Sequence, residues 1–370
     1  MDKQKEEFWL WFTRIPGIGL NKQKHLLDIF KTPESIWYST EQELSENTQL
    51  TRKDISNIMQ AKDESLLNRQ IEELRRKNIQ FYSIHHSSYP NLLKQIYDPP
   101  HVIYVKGKQF HHGAPTIGIV GARRCSQYGH QTALKMAKEL GREGISVISG
   151  LARGIDAAAH QGALNGDGHT MAILGNGVDI CYPQENRKLY REIIENGALI
   201  SEFPPGTAPR PGFFPLRNRI ISGLSEAILV IEAARRSGSF ITADQALEQG
   251  REVYAIPGNI TSSLSEGTNR LIQQGAKLVM QVEDILEDLD IQNTDNLDIK
   301  NSKKDILEED ALEKEEKIVY DCLSLEPISI DQLCQKTTYD AGRVQHILLI
   351  LELKGKLKKL SNQWFVKHEE

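Results

Sequence analysis

Between residues 113 and 285, short runs of β-branched and aliphatic residues alternate with amphipathic helical segments, and nothing else in the 370-residue chain restricts the fold so strongly. Strand composition is seen at Thr116–Val120, Ile145–Ser149, Thr170–Leu174, Leu199–Glu202, Ala227–Ile231, Val253–Ile256 and Leu278–Met280. Helical spacing separates them over Gln127–Leu140, Gly154–Leu164, Asn186–Asn196, Pro215–Gly223, Ile241–Gln249 and Thr268–Gln274. Parallel neighbours need a crossover, so this alternation predicts a parallel sheet with helices on both faces. The expected class is α/β, a Rossmann-like doubly wound parallel sheet. Ligands of such sheets sit outside the carboxyl ends of the strands.

The flanks differ in texture. Residues 1–110 read as an N-terminal helical domain with an extended connector. Apolar residues recur at helical spacing through Phe8–Phe12 and Leu66–Leu74, before the extended Ile79–Ile84 and the Pro-bearing Tyr89–Pro100. Pro16-Gly17-Ile18-Gly19 between two helical segments resembles the hairpin of helix-hairpin-helix modules, whose N–H groups can touch a DNA phosphate through Gly17 and Gly19, and it also suits a plain tight turn. Residues 287–316 hold twelve acidic residues against four lysines, so 287–311 is expected to be a solvated acidic linker. From 312 to 370 the pattern is helix, helix, helix and hairpin, a winged-helix-like domain with Ala341–Lys354 in the recognition position. A chain cut near residue 290 is expected to keep the central activity.

The loops after the strands share one chemistry. Gly121-Ala122-Arg123-Arg124-Cys125-Ser126 follows the first strand and Ser149-Gly150-Leu151-Ala152-Arg153-Gly154 the second. The third ends in Gly175-Asn176-Gly177, and the fifth leads into Arg235-Arg236-Ser237-Gly238-Ser239. Glycines allow close approach, helix N-termini offer free N–H groups and arginines add bidentate charge. Glycines at strand ends also serve as ordinary turn residues, but four such loops carrying five arginines favour anion binding. The text GIVGARR lacks the GxGxxG of dinucleotide sites, and an arginine-lined edge suits a chain of phosphates. Residues 113–285 hold seventeen basic and seventeen acidic residues, so any positive stripe must come from arrangement.

Composition excludes other classes. Four scattered cysteines form no CxxC pair, which argues against a zinc site or disulfide scaffold and for a reducing, cytoplasmic setting. No apolar run approaches the roughly 20 residues that span a bilayer, so no membrane partner is expected. Neither a cofactor nor a resident metal is expected.

GARRCSQYG, SGLARGIDAAAHQGAL, AILGNGVDICYPQEN, FPLRNRIISGLSEAILVIEA and SGSFITADQALEQGREVYAIPG occur in this order. The series resembles the DprA (Smf) family, DNA-processing proteins of bacterial natural transformation. The resemblance implies a homodimer that binds and protects incoming single-stranded DNA and loads the RecA recombinase onto it without ATP. By motif it points to Arg123, Arg217 and Arg219 as phosphate contacts, with Arg124 and Arg153 as further candidates. Gly121, Ser126, Ser149, Gly150, Gly175, Asn176, Asn218, Gly238 and Ser239 would form the surrounding pocket. Tyr128, Phe213 and Phe214 could stack bases or, for the phenylalanines, belong to the core.

The competing class is a hydrolase. Asp156 and His160 stand at i, i+4 and could pair on one helix face, with Asp179 or Glu232 completing a metal site. The structural alternative has Asp156 stabilising the helix N-terminus and His160 packed beneath the loops. The related nucleoside-monophosphate phosphoribohydrolases carry a catalytic glutamate where this chain has Thr242, which favours binding over turnover. The last strand is expected at a sheet edge, where Leu271, Ile272 and Leu278 would build a two-fold interface.

Overall fold

Nine of the strands expected or unexpected from the sequence belong to one sheet in a computed structural model of the chain, which describes residues 3–108, 114–235, 237–289, 314–324, 327–354, 356–361 and 364–367. In chain order they are β1 (Gln80–Ser83), β2 (Val102–Gly107), β3 (Thr116–Val120), β4 (Ser146–Ser149), β5 (Thr170–Ile173), β6 (Ala198–Ser201), β7 (Ala227–Val230), β8 (Glu252–Ala255) and β9 (Lys277–Leu278). Their spatial order is β1-β2-β6-β5-β4-β3-β7-β8-β9. From β6 to β9 all neighbours are parallel, as the alternation requires. The order reverses between β3 and β7, and this switch point opens the ligand crevice of a doubly wound sheet.

Two strands correct the sequence reading. β1 and β2 arise within the stretch assigned to the helical domain and its connector, yet they extend the sheet antiparallel to β6. Val102–Val105 is apolar throughout because both faces of β2 are covered, and without alternation or turn signals it did not read as a strand. The described residues of 1–125 and 132–282 accordingly form one compact unit. The last strand is shorter than expected, and Met280 lies beyond it.

Period-two burial sorts the side chains between the two faces of the sheet. Tyr104, Ala172 and Leu199 point to a core shared with the N-terminal helices, through residues such as Trp9, Phe12, Leu26 and Ile58. Their neighbours Ile103, Val105, Ile173 and Ile200 point the other way, toward Ile220, Ile221 and Leu224 of the helix Phe213–Leu224 and Ala243 and Ala246 of the helix Gly238–Glu248. The hairpin Pro16–Gly19 is braced by this packing. Gly17 takes a φ of 76°, and Asn57 Nδ2 donates to the Pro16 carbonyl at 2.9 Å.

The described residues of 126–131 and 283–370 form a second compact unit. Its helices Lys314–Asp321, Ile330–Thr337 and Ala341–Leu353 enclose Val319, Leu333, Val344, Ile347 and Leu351. Three antiparallel strands, β10 (Ile328–Ser329), β11 (Leu357–Ser361) and β12 (Trp364–Lys367), run in the order β10-β12-β11 and make the wing. Ser329 and Gln332 form a capping box on the second helix, and Asp340 caps the third through the Arg343 N–H. The expected linker at 287–311 lies almost wholly outside the described residues.

Candidate nucleic-acid interface

At the switch point the first and fifth parallel strands hand over to loops that are locked together. The Ala122 N–H donates to the Glu232 carbonyl at 2.8 Å, and the Ile231 N–H to the Val120 carbonyl at 3.0 Å. Glu232 sits at φ 57°, a conformation rare outside glycine, which turns its carbonyl back toward the first loop. Gly154, at φ 75°, closes the second loop against the first. A Cβ there would stand 2.3 Å from the Ala122 carbonyl oxygen, so a larger residue would force the loops apart.

The frame beneath these loops is charged and buried. Asp156 accepts from the Gly150 N–H at 3.1 Å and from the Ala152 N–H at 3.4 Å. Burial raises its pKa, opposed by the nearby Arg217 charge. Arg217 is only 4% exposed. Its guanidinium donates to the Gly150 carbonyl at 2.7 Å and to the Ile173 carbonyl, while burial lowers its pKa to about 10. Gly150 lies so close that a Cβ would come within 2.5 Å of this guanidinium. Arg219 is also buried, with Nε on Asp98 at 3.0 Å and a second nitrogen on Glu202 at 2.6 Å. Arg217 and Arg219, expected from the motif as phosphate contacts, thus lie beneath the surface. Both are consumed in tying the helix Phe213–Leu224 to the sheet.

Several pocket candidates turn inward as well. Ser149 Oγ donates to the Ile119 carbonyl at 2.6 Å, and the Asn176 amide holds its own loop through the Gly177 and Ile180 carbonyls. Ser239 is buried next to Ser237. Ser126 accepts from the Gly129 N–H at 3.1 Å and opens the helix Gln127–Arg142, where it belongs to the other compact unit. Their hydroxyls and amides are hydrogen-bonded within the protein for the reason that buried polar groups generally are.

What remains at the surface is a cation–aromatic cluster. Arg123 and Arg124 are exposed, and neither has a carboxylate partner among the described residues. The Arg123 guanidinium lies 5.7 Å from the Phe214 ring centroid, and Tyr182 stacks on the same ring at 5.5 Å. Gly175 packs beneath Phe214. Beside them Arg210 stands 5.6 Å from the Phe213 ring, which stacks on Phe203 at 4.2 Å. Arg210, Tyr182 and Phe203 were missed from sequence, although the run of aromatics around two prolines and an arginine was a readable signal. Arg153 is exposed and paired with Glu185. Gly121 lies half-buried at the base of the first loop, Asn218 is half-buried on the helix, and Gly238 is exposed at the start of its own helix with open space around it.

The residues of the hydrolytic alternative are separately engaged. His160 is fully buried with Nδ1 2.7 Å from Thr170 Oγ1. Thr170 gives its one proton to the Val147 carbonyl, so the imidazole must carry hydrogen on Nδ1. Burial lowers the pKa of His160 to about 3 and keeps it neutral. Asp179 is bound to Lys77 and the Gly206 N–H, and Thr242 is buried. Among the described residues no group of three potential ligands could hold a metal ion, and no helix is long and apolar enough to cross a membrane.

Comparison with known proteins agrees with this architecture. The family model for DNA recombination-mediator protein A matches residues 80–290, so it starts at β1, and a DprA winged helix domain model matches residues 307–363. Protein Smf of Synechocystis is 33% identical over 385 residues, covering 96% of this chain and 97% of that protein. The X-ray structure of DNA processing protein A from Streptococcus pneumoniae is 33% identical with a TM-score of 0.67, covering 76% of this chain and 97% of that one. A Helicobacter pylori DNA processing protein A structure, described for its single-stranded DNA binding mode, is 29% identical with a TM-score of 0.52, covering 57% of this chain and 95% of that one. With a matching central domain, a matching winged helix and a relative similar along nearly its whole length, the chain belongs to the DprA/Smf family of DNA recombination mediators.

Proposed function

We propose that this chain binds single-stranded DNA along the carboxyl edge of its parallel sheet and passes that strand to RecA. The observation that carries the reading is Arg123. It is an exposed guanidinium on an aromatic platform, above a frame in which the buried carboxylate of Asp156 is already balanced by Arg217 and two N–H groups. Arg123 therefore keeps its charge for an anion, and Phe214 with Tyr182 offers π faces to bases. Arg124, Arg153, Asn218, Gly238 and the backbone at Gly121 extend the contact. The Helicobacter pylori relative, described for binding single-stranded DNA, supports the same ligand.

Titration of single and double strands over a range of salt tests this. Wild type should prefer the single strand, and Arg123→Ala should lower the salt slope by about one. Equal slopes for the two proteins would remove Arg123 from the interface. Delivery to RecA predicts faster RecA filament assembly on a single strand when the chain is added. The hydrolase reading would require Asp156-dependent turnover of nucleoside monophosphates.

Two copies would lengthen the track. β9 is an edge strand, and Leu278 and Met280 are exposed there. Leu271 is buried in the core, so it leaves the set of interface candidates, while Ile272 packs partly against the same core. We assign the two-fold contact to Leu278, Met280 and the flank of Ile272. Sedimentation showing only monomer at micromolar concentration would refute it.

A further inference from the structure

We propose that a groove between the Pro16–Gly19 hairpin and the segment Tyr97–His101 takes a further nucleotide of the bound strand, with its base stacked on Tyr97 and its phosphate beside Lys24. This rests on the single-strand reading above and adds a second contact region to it.

The groove has a volume of about 560 Å³ and is lined by Gly19, Lys22, Lys24, Tyr97, Asp98 and Leu216, among others. That is the size range of small-ligand sites. Tyr97 is 90% exposed, and the Lys24 ammonium lies 4.6 Å from its ring centroid. The ring is held by a cation and otherwise open to solvent, an arrangement that suits a base on the π face and a phosphate at the charge.

The charges of the groove resolve in one direction. Lys22 is paired with Asp54, and Asp98 shares the buried Arg219 with Glu202. Lys24 has no carboxylate partner among the described residues, so its ammonium is open to a phosphate. Continuity with the proposed edge comes through one helix. Phe213 and Phe214 open the helix Phe213–Leu224 at the arginine cluster, and Leu216, which is 51% exposed, lines the groove from another side of the same first turn. The same helix supplies Arg219, which fixes Asp98 next to Tyr97.

The test uses the full chain and oligothymidylates from about four to about sixteen nucleotides, read by fluorescence anisotropy. Tyr97→Ala should leave the shortest oligomer unaffected and weaken the longest by about tenfold, whereas Tyr97→Phe should bind like wild type. Lys24→Gln should lower the salt slope by about one on long oligomers only. If Arg123→Ala weakens every length while Tyr97→Ala changes none, the groove inference is wrong and the edge stands. If wild type binds no oligomer, both fall. Tyr97 is far too exposed for its removal to disturb folding, so weakened affinity cannot be blamed on a damaged protein.

Discussion

The loop Gly121–Ser126 and the helix Phe213–Leu224 each present two arginines close to the carboxyl edge of the sheet, and the two pairs have opposite fates. Arg123 and Arg124 are exposed, whereas Arg217 and Arg219 are buried and bonded to carbonyls and carboxylates, with one nitrogen of each left without a partner. The buried pair still shapes the surface. Carbonyls at the ends of parallel strands would present acceptors to any approaching phosphate, and Arg217 occupies two of them, at Gly150 and Ile173. The edge is thereby made receptive to anions by an arginine that need not touch one.

The largest effect expected from this contrast is on folding. Arg217→Leu should cost about 3 kcal/mol or more in denaturant unfolding, since two hydrogen bonds from a charged donor are lost and their acceptors stay buried. A variant that keeps its unfolding midpoint but loses DNA affinity would erase the distinction between the two pairs.

Acid should expose the buried frame next. The folded pKa of His160, about 3, and of His101, about 4, both lie below the unfolded value near 6.5. Between those values the unfolded chain binds more protons, so stability falls as the pH drops below about 6.5, by up to about 1.4 kcal/mol per pH unit for each group. Asp156 and Glu202, whose pKa values burial raises, act in the opposite sense and reduce the slope. His160→Gln, which cannot titrate, should flatten unfolding free energy against pH, and an unchanged slope would show that His160 is not the group responsible.

For the exposed pair the expected change is in binding alone. Arg123→Ala should weaken single-strand affinity about tenfold at low salt with an unaltered unfolding midpoint. A smaller loss, of about 1 kcal/mol in stability, is expected for Ser149→Ala, which removes the hydrogen bond to Ile119 without opening the surface. Arg153→Ala should be the mildest, because its pairing with Glu185 is exposed and screened. DNA affinity falling more for Arg153→Ala than for Arg123→Ala would move the centre of the site to the second loop.

How far the sequence could be read follows the same division. The parallel strands and their crossover helices were legible because short β-branched and aliphatic runs, buried on both faces, alternate with segments of helical period. β2 was not, since its apolar run follows the Pro-bearing Tyr89–Pro100 directly and no crossover helix sets it off. In the site, glycine loops at strand ends located the edge, but the direction of a side chain is set by tertiary packing. Nothing local to FPLRNR marks Arg217 and Arg219 as internal, and the aromatic partner of Arg123, Phe214, comes from a segment far along the chain. Leu271 had the same difficulty, being one apolar residue on a helix with both a core and an outer flank.

The antiparallel pair β1–β2 bears on how the molecule can be shortened. Trimming the first 110 residues, which resemble a detachable appendage in sequence, would strip β6 of its neighbour and leave a row of unpaired backbone groups beside an uncovered apolar surface. Such a fragment should self-associate through β6. A cut placed before residue 80 would retain all nine strands but bare the face that Trp9, Phe12 and Leu26 now shield. The amino-terminal third is thus the selvedge of the sheet, woven in at its margin, and any partner that pulls on it pulls on the parallel strands as well.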